Sequence, residues 1–74
     1  MSYLTLFTIG LVRFEVEDYE GAIARFTKTL EFLPNAKQVI VQEDITIDEL
    51  YIYRGVAYSY KGELDQAIAD YTII

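Results

Sequence analysis

The chain has 74 residues, no cysteine and no histidine, with 53% hydrophobic residues, 15% aromatic residues and a formal net charge of −6. A chain this short buries only about 60% of the surface that its unfolded form exposes. With no disulfide and no histidine or cysteine for a structural metal, a partner subunit is the remaining route to added stability. The excess of acids repels phosphate backbones and anionic lipid, so neither nucleic acid nor a membrane surface is expected as a partner, and the apolar content is too high for a disordered tail.

The apolar opening at residues 1–10 lacks a basic lead-in and a small-residue cleavage site and is followed by Arg13 and Glu15, so it reads as neither signal peptide nor membrane span. Absence of cysteine fits a reducing compartment, and the cytoplasm is the expected location. Apolar residues at three- and four-residue steps predict a first helix over about 3–16. A second follows over about 19–33, with Tyr19, Ala22, Ile23, Phe26, Leu30 and Leu33 on one face and Arg25, Lys28 and Glu31 elsewhere on the wheel. Asp18 stands at its start as a cap, and Pro34-Asn35 stops it.

Residues 36–46 form a linker or a short strand, because Gln38-Val39-Ile40-Val41-Gln42 is β-branched and ill-suited to a helix. Val39-Ile40-Val41 is a candidate edge strand that could pair with its twin in another copy. Thr46-Ile47-Asp48-Glu49 has the form of a capping box and opens a third helix over about 47–61, and Glu63 to Asp65 open a fourth over about 64–74.

An internal repeat organises these elements. Ala22-Ile23-Ala24-Arg25-Phe26-Thr27 recurs as Ala67-Ile68-Ala69-Asp70-Tyr71-Thr72, an offset of 45 residues that also carries Gly10 onto Gly55, Asp18 onto Glu63 and Tyr19 onto Leu64. The expected fold is all-α: one domain over 1–74, with repeat one at about 3–35, the insert at about 36–46 and repeat two at about 47–74. Each repeat is an antiparallel helix-turn-helix hairpin. Gly10 and Gly55 let the second helix of each pair approach closely, with Ala22 and Ala67 as the small residues that meet them, while Phe26 and Tyr71 fill the space between helices.

The second copy resembles a tetratricopeptide repeat, with Tyr51, Gly55, Tyr58, Gly62, Ala67 and Tyr71 at that family's spacings and Arg54 replacing the usual Leu. The first keeps Gly10, Ala22, Phe26 and Pro34 but has Leu6, Ile9 and Arg13 at the other motif positions. The resemblance implies a short right-handed solenoid of two stacked hairpins. It departs from the family in having about eleven residues inserted between repeats and no polar capping helix, where natural arrays carry about three repeats and a cap.

In the family, ligands lie in a groove lined by the first helix of each pair. The resemblance therefore implies a protein-binding groove of Leu4, Phe7, Leu11 and Phe14 with Glu49, Ile52, Val56, Ser59 and Tyr60. Chaperone-binding members clamp a peptide carboxylate with Lys and Asn, but the corresponding positions here are Phe7, Leu11, Ile52 and Val56. An apolar helix or segment is the better fit. The expected function is a protein-protein interaction module that takes such a segment, or its own copy as a homodimer, with domain swapping permitted by the insert. The alternative is a structural self-assembling subunit, or a fragment of a longer repeat protein, with no foreign ligand.

No enzyme is expected, and no cofactor or metal, since general bases, thiolates and zinc ligands of the usual kinds are missing. The acids Glu15-Glu17-Asp18-Glu20 and Glu43-Asp44-Asp48-Glu49 lie in turns or helix starts, where charge is normally solvated, and lack the spacing of a calcium loop. Arg54 and Asp70 are placed to meet across the second hairpin as a salt bridge, which at the surface contributes under about 1 kcal/mol.

Overall fold

The 3.6-residue spacing of apolar side chains produces four helices: α1 (Tyr3–Glu15), α2 (Tyr19–Glu31), α3 (Ile47–Lys61) and α4 (Leu64–Ile73). They are seen in a computed structural model that describes residues 3–31, 40–42 and 45–73, with side chains for 5–31 and 47–73. The fold is all-α, and the observed ends agree with expectation to within a turn. Pro34-Asn35, Leu33, Val39 and the acids Glu43 and Asp44 lie outside the described residues.

The two hairpin turns show why the repeat folds as it does. After α1, the Asp18 amide donates to the Arg13 carbonyl at 2.8 Å and the Glu17 amide to the Phe14 carbonyl at 3.0 Å. After α3, the Glu63 amide donates to Tyr58 at 2.9 Å and the Gly62 amide to Ser59 at 3.0 Å. These are the paired bonds of a Schellman motif, which needs a left-handed residue just past the helix end. Gly62 supplies it with φ of 94°, whereas the first copy places Glu17 there with φ of 65°. The chain then re-enters a helix. Asp18 accepts from the Gly21 amide at 3.0 Å, the expected N-cap bond. At the equivalent place the Glu63 carboxylate instead takes the Lys61 ammonium at 2.6 Å.

Packing follows chain order: α1 on α2, α2 on α3, and α3 on α4. In each hairpin the expected aromatic ring lies nearest the space left by the glycine. A Cβ on Gly10 would lie 2.6 Å from Phe26 Cε1, and one on Gly55 would lie 2.7 Å from Tyr71 Cε1. Ala22 and Ala67 are buried in the same hairpins. Phe26 is the centre of the core, which also contains Phe7, Ala22 and Leu50, with Leu11, Phe14, Leu30 and Tyr53 against it. Tyr71, its counterpart in the second repeat, is 42% exposed and so is not the core residue it was expected to be.

The insert forms a short ladder within the chain. Strands β1 (Ile40–Gln42) and β2 (Ile45–Thr46) run antiparallel, with Ile40 opposite Thr46 and Gln42 opposite Ile45. Ile40 and Val41 of the candidate edge segment thus belong to a strand paired within its own chain. β2 runs directly into α3, so the helix starts where the capping-box pattern placed it. The second hairpin docks on the first in the same copy.

Two stability predictions come from this geometry. A non-glycine left-handed residue costs about 1–2 kcal/mol, partly offset by the entropy that glycine gains in the unfolded chain. Glu17→Gly should therefore raise stability by up to about 1 kcal/mol in urea unfolding, and a decrease would contradict the turn assignment. Gly10→Ala should lower stability by about 1–2 kcal/mol, because Phe26 is fully enclosed and overpacking outweighs helix propensity. Gly55→Ala should stay within about 1 kcal/mol of the parent, since the exposed Tyr71 ring has room to swing. Equal losses would show that Tyr71 is held as firmly as Phe26.

Candidate protein-docking site

The first helix was expected to present Leu4, Phe7, Leu11 and Phe14 to a groove. Phe7 is instead 6% exposed, with its ring centroid 5.9 Å from Phe26 and 5.8 Å from Tyr53. Leu11 and Phe14 are half-buried against the same cluster. Phe14 meets Tyr53 and Tyr60 edge-on, each at 6.1 Å. The Leu4 side chain lies outside the described residues. The physical reason is size: Tyr53 and Tyr60 of α3 are long enough to reach across α2 and fill the space beside α1 with their own rings. Phe7 is core and not groove wall.

On α3 the expected residues divide. Ile52, Ser59 and Tyr60 are exposed, while Val56 and Glu49 are half-buried. These positions share one flank of α3 and meet α1 at the Phe14–Tyr60 ring contact, at 6.1 Å. The Phe14, Tyr19 and Tyr60 rings, with Glu15 and Glu17, line an open depression at the α1–α2 turn. Tyr19 and Tyr60 stack at 5.0 Å with planes 15° apart. Burial first, then the charge of Glu17 and the neighbouring Tyr60, raises the pKa of the Tyr19 hydroxyl above its ordinary value.

A larger apolar surface lies on α4. Leu64, Ile68 and Tyr71 stand at i, i+4 and i+7, one face of a helix, and Leu64 and Ile68 are each about three-fifths exposed, at 60% and 61%. Their repeat equivalents are Tyr19, Ile23 and Phe26, which are half-buried or enclosed. The difference is α3. Its Tyr60 stacks on Tyr19, Tyr53 lies 6.0 Å from Phe26, and Leu50 joins the Phe26 cluster. No described element plays that part for α4. At the other end, Val12 of α1 and Val16 in the turn after it are exposed, the repeat equivalents of Ala57 and Lys61 on the face of α3 that meets α2.

Arg54 and Asp70 do meet, and more deeply than a surface pair. Arg54 Nε donates to Asp70 Oδ2 at 2.8 Å and Nη2 to Oδ1 at 2.7 Å, with the two side chains 17% and 4% exposed. Arg54 Nη1 also donates to Thr27 Oγ1 at 3.1 Å, so one guanidinium links α2, α3 and α4. Tyr51 and Tyr58 flank it, with ring centroids 5.4 and 6.0 Å from Cζ. The hydrogen bonds to Asp70 raise the Arg54 pKa against the opposing effect of burial, so the guanidinium stays charged at every ordinary pH. A second link across α2 and α3 is exposed: Lys61 Nζ lies 2.6 Å from Glu20 Oε1 and 2.6 Å from Glu63 Oε2. Those two carboxylates raise the Lys61 pKa.

Two buried polar residues, Thr29 and Asp70, lay beyond the apolar pattern. Thr29 is fully enclosed and donates to the Arg25 carbonyl at 2.8 Å, which lets a hydroxyl sit at a core position at little cost. Asp70 was recognisable only through its pairing with Arg54. None of the described helices is long and apolar enough to cross a membrane.

Arg54→Ala or Asp70→Ala alone should cost about 3–5 kcal/mol, because each leaves a charge enclosed without its partner. A double-mutant cycle should give a coupling well above the 1 kcal/mol or less typical of surface pairs. Additive losses would show that the bidentate contact contributes nothing of its own.

The chain matches no family model, no curated protein and no solved structure in comparisons with known proteins.

Proposed function

We propose that this chain is a protein-protein interaction module of tetratricopeptide-like hairpins, whose docking surface is the outer face of α4. What carries the reading is the inequality between repeats. The face of α2 is covered by α3, and the equivalent face of α4, with Leu64, Ile68 and Tyr71, is covered by no described element. A solenoid of stacked hairpins hides each apolar face under the next helix, so an uncovered face is a template for one more. The occupant it fits is a helix that lies across Leu64, Ile68 and Tyr71 as α3 lies across Tyr19, Ile23 and Phe26.

A second copy of the chain is the favoured occupant. The exposed side of α1 bears Thr5, Thr8 and Val12, with Val16 in the turn just after it, the repeat equivalents of the α3 residues Leu50, Tyr53, Ala57 and Lys61. Docking α1 of one copy on α4 of the next continues the internal stacking from one molecule to another. Such a contact is head-to-tail and joins two different surfaces. A foreign apolar helix on the same face is the competing reading.

Sedimentation equilibrium over a concentration series separates the two. With a second copy as occupant, the mass rises above that of one chain, and Ile68→Glu or Val12→Glu alone restores the single-chain value, because each removes one of the two complementary surfaces. A single-chain mass at every concentration removes the self-association reading. A mass increase that persists in Ile68→Glu places the contact elsewhere than α4.

A further inference from the structure

The depression at the α1–α2 turn is independent of the α4 face, and its chemistry suits a different ligand. Its floor is aromatic: Tyr19 and Tyr60 stack at 5.0 Å, and Phe14 stands edge-on to both, at 5.5 and 6.1 Å. Its rim is acidic, formed by Glu15 and Glu17, both exposed. The nearby cations are already engaged. Arg13 Nη1 lies 3.6 Å from Asp18, and Lys61 sits between Glu20 and Glu63. Among the described residues no ion pair reaches Glu15 or Glu17, so the rim carries two negative charges that no described cation neutralises.

The rest of the molecule shows what such a combination holds. Arg54 lies between the rings of Tyr51 and Tyr58 and is gripped by the Asp70 carboxylate. A guanidinium satisfies both requirements, because its plane lies against aromatic faces while its N–H groups reach carboxylate oxygens. The turn presents rings and carboxylates in the same pairing, with the site open to solvent. The geometry points to a docking site for an arginine side chain of a partner protein, seated on the Phe14, Tyr19 and Tyr60 rings and paired with Glu15 and Glu17. Glu17 is held at this rim by the left-handed turn position, where the second repeat has Gly62.

The test is an NMR titration of the whole chain with a capped Gly-Gly-Arg-Gly-Gly peptide, against the same peptide carrying citrulline, which keeps the shape and loses the charge. The arginine peptide should shift the amides of Glu15, Glu17, Tyr19 and Tyr60 saturably, and the citrulline peptide should not. Tyr60→Leu, at a residue 65% exposed and with an apolar side chain kept in place, should weaken binding about threefold or more while the amide spectrum stays that of a folded chain. The double variant Glu15→Gln with Glu17→Gln should do the same through lost charge. Absence of saturable shifts, an equal response to citrulline, or binding that either variant leaves intact would overturn the assignment.

Discussion

The ring of Phe26 rests on the bare backbone of Gly10, where a Cβ would come within 2.6 Å, and everything else in the fold is arranged around that contact. Because the ring replaces a side chain, α1 and α2 come together at glycine distance, and one face of Phe26 is sealed. The other sides are closed by Phe7, Leu50 and Tyr53, so α3 is needed to finish a core that the first hairpin begins. A helical hairpin of this length cannot hide its own apolar face. The second repeat repeats the same contact between Gly55 and Tyr71. There the ring is left open on the side that a further helix, placed as α3 is on α2, would cover, and this is the difference between the two repeats.

Polar contacts hold the stack in register where apolar packing alone would let helices slide. Arg54 reaches three helices at once through Asp70 and Thr27, and Lys61 bridges the start of α2 to the start of α4 through Glu20 and Glu63. Asp70 is nearly enclosed, so its full pairing with the guanidinium is what makes its burial tolerable. The same aromatic and carboxylate chemistry recurs, open to solvent, at the turn after α1. On the proposed reading, the α4 face would supply area and the acidic turn selectivity.

Most of the fold is legible in the sequence because the repeat is physical as well as textual. The 45-residue offset maps hydrogen bond onto hydrogen bond at the two turns and glycine onto glycine at the two close approaches. Helix periods, the Asp18 cap and the Arg54–Asp70 pair are local or near-local signals, and they read correctly. The groove did not, since Phe7 was assigned by its place on α1 alone. Its burial depends on the reach of Tyr53 from another helix, which no periodicity encodes. Thr29 escaped notice because a threonine that bonds back to its own helix looks polar in a sequence and behaves as apolar in a core. The pairing of Ile40–Gln42 with Ile45–Thr46 was hidden by its length, too short for alternation to show. The α4 face was visible only in outline: the sequence carries the same stripe in both repeats, and which one is covered is a matter of what packs next.

Native-state hydrogen exchange in dilute solution addresses the central claim most directly, that two like helices differ only in whether a third lies on them. The account predicts that amides of α2 around Phe26 exchange only on global unfolding, and that those of α4 around Tyr71 exchange much faster through local opening. Equal protection of both helices in a single dilute chain would mean that α4 needs no cover, and the account would fail.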